Sequence, residues 1–135
     1  MKRQAAVPKQ VAIEWPSLTR IAREASARSH VPYSRVGSGA AVLAGSGRSY
    51  AGCKVENSSL GLALCAERGA IAEAVAAGER QIVATLIVVA GKPLPPCGAC
   101  RQVLAEFGAP AMPIVVIGGR AARKAYTLGH LLPVK

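Results

Sequence analysis

The sequence predicts a single α/β domain, a sheet with helices packed on its faces, and three observations carry that expectation. Apolar residues recur at helical spacing in three separate segments. Two runs between and after them, IVATLIVVA at 82–90 and PIVVIG at 113–118, are apolar throughout and rich in β-branched residues, as strands covered on both faces are. The resulting order α, β, β, α, β, α, β, β interleaves the two kinds of element and supplies about five strands. At 135 residues the chain is long enough for one real core and too short for two. With 51% hydrophobic residues but only 4% aromatics, that core must be close-packed Ala, Val, Leu and Ile rather than large rings.

Residues 1–15 show no clear period and are expected to form a flexible N-terminal arm ahead of a domain spanning 16–135. Pro16 suits the first position of a helix, and Leu18, Ile21, Ala22 and Ala25 then repeat at helical spacing, giving a helix over about 16–29 that ends before VPYS. GSGAAVLA, the turn GSG at 45–47 and RSYAGCKV form two strands of a hairpin. LCAERGAIAEAVAA at 64–77 returns to helix and stops at Gly78. After the strand at 82–90, the Pro- and Gly-rich loop GKPLPP leads into a third helix over about 97–107, closed by Gly108. The strand at 113–118, a weaker one at 123–127 and a short turn at LGHLLP complete the chain.

The formal charge of +10, from 17 Lys and Arg against 7 Asp and Glu, raises the question of a polyanionic partner. The distribution answers it: basic residues are scattered from Lys2 to Lys135, and the densest group, Arg120, Arg123 and Lys124, lacks neighbouring rings on which bases stack. A solvated surface, with no nucleic-acid partner, is the expectation. The start MKRQAAVPKQVAIEW lacks the apolar stretch of a secretory signal, and the longest apolar run is about half the length a bilayer crossing requires. The protein is therefore expected to be cytoplasmic, where thiols stay reduced and four cysteines point to metal or catalysis before disulfides.

Cys97 and Cys100, three apart at a helix start, bring two sulfurs to one side about one turn apart. Cys65, at the start of the preceding helix, supplies a third. Helix N-termini carry partial positive charge, which favours thiolates at both places. Zn²⁺ accepts thiolates in tetrahedral geometry, and three protein ligands leave a fourth position for water. Glu67 stands two residues beyond Cys65, placed to exchange protons with such a water as the catalytic acid and base. Three thiolates leave a zinc centre negative, and Arg68, next to Glu67, is the expected donor that offsets it. Three other readings are open at this level: a redox C-x-x-C pair, a closed structural site using Cys53 as a fourth ligand, and a Glu67 that is only a surface carboxylate. Cys53 falls in a strand and reads otherwise as a small buried hydrophobe. His30 and His130 read as surface or packing residues.

C-A-E-R at 65–68 followed by P-C-G-A-C-R-Q at 96–102 resembles the cytidine deaminase family, in which a Cys or His with a nearby Glu precedes P-C-x-x-C. The likeness extends to VPYSRVGSGAAVL near residue 31, GCKVENSS at 52–59 and LLP at 131–133. It implies the family's three-layer fold, a mixed sheet of about five strands with helices on both faces. Cysteine as first ligand resembles the small homotetrameric class, which implies a tetramer with active sites near subunit interfaces. The implied reaction is hydrolytic deamination of a free cytosine nucleoside in pyrimidine salvage, with Glu67 carrying protons to the ring and to the departing amine. By the same likeness the backbone at Ala66 and around Pro95 holds the ring's polar edge, and Glu56 accepts a hydrogen bond from a ribose hydroxyl.

Departures bear on the substrate. Lys54 stands where the family usually has Asn, and lysine can only donate and carries charge. Val36 and Leu60 replace usual aromatic residues of the pocket, and the customary Phe after LLP is missing. Each lost ring weakens stacking by on the order of 1 kcal/mol. A modified aminopyrimidine nucleoside such as blasticidin S is thus an alternative substrate, and a non-catalytic, zinc-stabilised RNA-binding module is an alternative of another class.

Overall fold

The computed structural model describes residues 11–133. In chain order the elements are α1 (Trp15–Ser26), β1 (Ser38–Ala44), β2 (Ser49–Cys53), α2 (Ala66–Ala76), β3 (Ile82–Val89), α3 (Gly98–Phe107), β4 (Pro113–Ile117), β5 (Arg123–Thr127) and a four-residue α4 (Leu128–Leu131). Single 3₁₀ turns at Leu60–Leu62 and Gly119–Ala121 complete the list. The strands form one mixed sheet in the order β2-β1-β3-β4-β5, in which only β3 and β4 run parallel. α3 lies in the crossover between them, which is what a parallel pair requires.

The sheet separates two cores. Leu18 and Ala22 of α1 pack with Ala41, Leu43, Leu86, Val115 and Ile117 on one face. On the other, Ala66, Ala70, Ile71 and Ala74 of α2 and Leu104 of α3 pack with Ala40, Val42, Ile87, Ile114 and Val116. Successive residues of β1 and β4 thus alternate between cores, as side chains of a pleated strand must, and both faces are covered as the unbroken apolar runs predict. The alternation slips at one place. Register shifts between Leu43 and Ala44, and there Ile82 joins the α2 side while Val83 packs toward α1.

Two helices approach the sheet backbone closely because glycine stands beneath each. A Cβ on Gly39 would lie 2.0 Å from the Ala22 carbonyl oxygen of α1, and one on Gly52 would lie 2.3 Å from both Ala66 O and Ala70 N of α2. Glycine inside a strand marks such an approach.

Residues 1–10 of the expected arm lie outside the described residues. Residues 11–14 have no regular structure, yet Val11, Ile13 and Trp15 pack against the α1-side core, so apolar burial ties down the last part of a stretch read as flexible. Arg123 stacks its guanidinium 5.9 Å from the Trp15 ring centre, spanning chain start and β5. No helix among the described residues is long and apolar enough to cross a membrane.

Candidate metal centre and cleft

α2 and α3 begin side by side on one face of the sheet, and a cysteine occupies the N-cap of each: Cys65 before Ala66, Cys97 before Gly98. The sequence places both thiols inside the first helical turn; the structure moves them one step outward, to residues with extended backbone. An N-cap side chain ordinarily accepts from the helix's free N–H groups. Neither cysteine does so, and both thiols turn toward one another instead. Cys65 Sγ and Cys97 Sγ are 3.9 Å apart, and with Cys100, in the first turn of α3, the three sulfurs lie within 4.8 Å of one another.

That spacing fits a metal. Tetrahedral zinc with Zn–S bonds near 2.3 Å holds its sulfurs about 3.8 Å apart, whereas a disulfide would need about 2.05 Å. Cys53 is not part of the cluster; at the end of β2 its thiol donates to the Arg28 carbonyl oxygen at 3.8 Å. Three soft donors, with no fourth His, Cys, Asp or Glu grouped with them among the described residues, match an open zinc site rather than a closed one.

The charge of the cluster is managed by its neighbours. Arg68 Nη2 donates to Cys65 Sγ at 3.6 Å and to the Ala63 carbonyl oxygen at 3.1 Å. Its Nε is buried without a hydrogen-bond partner among the described residues, so one charged donor stands ready as the thiols lose protons. The Cys65 thiol is held down to about 5, first by the hydrogen bond from the Cys100 thiol, against the opposing effect of burial, and then by Arg68 and Cys97. Cys100, fully buried, is pushed up by that same hydrogen bond, by burial and by the charge of Glu67. Of these two, Cys65 is the readier thiolate.

Glu67 is 7% exposed, and its Oε2 accepts from Cys100 Sγ at 3.4 Å. Burial raises its carboxyl above the ordinary range, and its position in the first turn of α2 partly offsets that through its own backbone N–H. Cys65, Cys97 and Glu67 open into a cleft of about 200 Å³ whose walls also include Lys54, Ala66, Lys92, Leu94 and Pro95, while Cys100 is buried beneath. Of the expected substrate-contacting residues, Lys54, Ala66 and Pro95 line this cleft, while Glu56 and Val36 are not among its walls.

Glu56 stands behind Lys54, with its Oε2 3.5 Å from Lys54 Nζ and its Oε1 accepting from the Tyr33 and Ser34 N–H groups at 3.0 and 3.1 Å. The Ser34 hydroxyl is the main cause that lowers its carboxyl from 4.5 to about 2, with these N–H groups and Lys54 adding to it. A native pKa below the unfolded one means that the stability this carboxylate confers is present above pH 4.5 and lost as pH falls toward 2. In acid unfolding, Glu56→Gln is accordingly expected to lose less stability than the parent across that window; equal slopes would rule out the clamp.

Three site features go beyond what sequence motifs reveal. Lys92 and Ser38 join the cleft wall. Arg101, directly after Cys100, donates from Nε to the Pro96 carbonyl oxygen at 2.7 Å and from Nη1 to the Leu131 carbonyl oxygen at 3.0 Å, so it pins the loop before Cys97 to α4. Its place next to the cysteine motif was the available signal. The histidines stay apart from the cleft: His30 pairs through its backbone with Lys54 and Glu56, and His130 N caps onto Thr127 Oγ1.

Known proteins place this arrangement. The family model described as cytidine and deoxycytidylate deaminase zinc-binding region matches residues 14–116. Cytidine deaminase of Halalkalibacterium halodurans is 43% identical over 118 residues, covering 86% of this chain and 89% of that protein; that of Sporosarcina psychrophila is 41% identical over 112 residues, 82% of each. The crystal structure of cytidine deaminase from Burkholderia pseudomallei superposes with a TM-score of 0.84 at 38% identity, covering 90% of this chain and 98% of that one. The Mycobacterium tuberculosis enzyme gives 0.76 at 38% identity, covering 90% and 96%. With likeness in sequence and in fold running over most of its length, this chain belongs to the cytidine and deoxycytidylate deaminase family.

Proposed function

We propose that the chain is a zinc-dependent aminohydrolase that converts cytidine or deoxycytidine and water to the corresponding uracil nucleoside and ammonia. The observation that carries this is the convergence of three sulfurs and one buried carboxylate beside a cleft of about 200 Å³. Cys65, Cys97 and Cys100 would hold zinc, which supplies a Lewis acid that makes water a nucleophile near neutral pH.

The chain's own residues do the rest. Glu67, its proton affinity raised by burial, takes a proton from the attacking water and delivers it to ring N3, then moves the proton left on the added C4 hydroxyl to the departing amine, leaving the uracil carbonyl and ammonia. Ala66 is the first residue of α2, so its N–H has no intrahelical partner and is free to donate to the pyrimidine carbonyl. The backbone around Pro95, which also lines the cleft, would hold the ring's polar edge together with Ala66. Arg68 keeps the thiolates from accumulating negative charge, and Arg101 holds the loop of Pro95 and Cys97 in place.

We further assign the protein to the cytoplasm and to a homotetramer whose active sites lie near subunit interfaces. Exposed Tyr33, Leu60, Leu62 and Leu94, between 61 and 85% accessible and with Leu94 in the cleft wall, support assembly, because large apolar side chains left in water favour a partner.

The test is ammonia release from cytidine, deoxycytidine and blasticidin S by zinc-loaded protein. Turnover of the cytosine nucleosides, abolished by chelation and restored by zinc, is the expected result. Salt-dependent RNA binding without ammonia release would instead favour the non-catalytic module.

A further inference from the structure

Between β3 and α3 the chain runs through the cleft wall, and Lys92, Leu94 and Pro95 all come from this one loop. Its two ends are tied. Ala90 N–H donates to the Gly37 carbonyl oxygen at 3.0 Å, and the Pro96 carbonyl oxygen accepts from Arg101 at 2.7 Å. Within the loop the bonding is local, a 2.8 Å bond from Leu94 N–H to the Lys92 carbonyl oxygen.

The loop rests on the turn from β4 to β5. Gly119 N–H donates to the Gly91 carbonyl oxygen at 2.9 Å. A Cβ on Gly118 would lie 2.7 Å from that oxygen, 2.7 Å from Pro93 Cδ and 2.8 Å from Pro93 N. Gly118 has φ −98°, a value open to any residue, so glycine is required here for space and not for conformation. The turn is held in a strained shape, with Arg120 and Ala121 both left-handed at φ 61° and 57°. Consecutive non-glycine residues of this kind are unfavourable and persist where the surrounding structure fixes them. Here Gly118 N–H bonds the Ala122 carbonyl oxygen at 2.7 Å, continuing the pairing of Ile117 with Arg123, and Ile117 also pairs with Val88.

The turn is thus anchored in the sheet, and the loop is the softer of the two bodies in contact. An atom forced between them displaces the loop and the wall around Pro95, whereas Cys65, Cys97 and Glu67 stand at the starts of α2 and α3. Resting on the deaminase reading above, we infer that Gly118 is a positioning residue for substrate: its bare backbone is the seat that sets where the wall of residues 92–95 stands, and so how closely a nucleoside is held. The seat acts on binding and leaves the chemistry at the metal end unchanged.

The experiment measures uridine affinity of zinc-loaded protein by calorimetry, with zinc content and the kcat and KM for cytidine measured alongside. Gly118→Ala is expected to weaken uridine binding and raise KM by about tenfold each, with zinc content and kcat close to the parent's, because a displaced wall loses binding that substrate and transition state share. Gly119→Ala, whose methyl would stand 3.3 Å from the Ala90 carbonyl oxygen, should give the same pattern at about two- to threefold, and it carries the test if Gly118→Ala does not fold. Gly108→Ala is the control for overpacking as such. Its methyl would crowd Met112 Sδ at 2.8 Å at the far end of α3, so it should lose stability yet bind uridine like the parent. Uridine affinity unchanged in Gly118→Ala and Gly119→Ala, a loss of zinc or kcat that matches the loss of affinity, or an equal loss of affinity in Gly108→Ala would each overturn the inference. A parent that releases no ammonia from any cytosine nucleoside would overturn the deaminase reading instead, and an active deaminase indifferent to these glycines would overturn only this one.

Discussion

Glu67→Gln is expected to lower turnover of cytidine by about 10²- to 10⁴-fold while the protein keeps its zinc and its fold, because positioned acid–base catalysis contributes about that much. The reaction needs the two protons of the added water moved in turn to N3 and to the amine, and among the residues lining the cleft Glu67 is the one carboxylate. Its neighbours do not replace it: the lysines have no acceptor atom while protonated, and the cysteines are committed to the metal. Glutamine has the same shape, and its amide N–H can donate to the sulfur of Cys100, which lies 3.4 Å from the carboxylate oxygen in the parent. What it lacks is a proton to give or a place to hold one.

Stability provides the control. A buried carboxylate is costly, so its neutral isostere should leave the melting temperature unchanged or raise it. Elemental analysis should still find one zinc per chain. Activity within tenfold of the parent would remove Glu67 from the mechanism, and loss of zinc together with activity would make it a structural support of the cluster instead.

The fold was legible where a pattern is local. The apolar runs of β3 and β4 and the helical spacing of Leu18 and Ala22 need only short windows of sequence, and the buried residues follow them. The three-cysteine cluster was legible for a different reason, since thiols that bind one ion must sit at few spacings on a helix start. Boundaries were less so. The helix read over 64–77 begins only at Ala66, because Leu64 forms a β-bridge with Val55 and thereby fixes Cys65 as the N-cap. That bridge joins residues nine positions apart through a loop with no periodic signal.

Contacts between distant segments were not legible at all. Glu56 is held by backbone N–H groups more than 20 residues earlier, and backbone donors leave no mark in side-chain type. Lys92 lies in a proline-rich loop that reads as a connector, and only the turn of that loop beside Cys97 makes it a wall of the cleft. The substrate end of the site is thus assembled by tertiary packing, while the metal end is encoded in two short motifs. This difference explains why the chemistry can be read from the sequence further than the specificity can.

Gly52→Ala is expected to be the most damaging change to the scaffold and to carry the metal site with it. A methyl at this position meets Ala66 O and Ala70 N at 2.3 Å and Gly69 C at 2.7 Å, all of them helix backbone that no rotamer change can move aside. α2 must therefore lift away from β2. Overpacking of this kind costs about 3 kcal/mol, the upper part of the usual range, which for a chain of this size lowers the melting temperature by roughly 10 °C. The helix that lifts begins directly after Cys65 and carries Glu67 in its first turn, whereas Cys97 and Cys100 belong to α3. Zinc affinity should fall along with stability.

Gly39→Ala separates the two effects, since its methyl would strike Ala22 O and Ser26 N of α1, a helix that bears no ligand. It should melt at a similarly reduced temperature with zinc affinity close to that of the parent. Gly61→Ala, with nothing within 4 Å of the added methyl, should behave as the parent in both respects. If Gly52→Ala melted within a few degrees of the parent, the close seat of α2 on β2 would be wrong. If it lost stability but bound zinc as tightly as Gly39→Ala, the seat would be right but would not position Cys65.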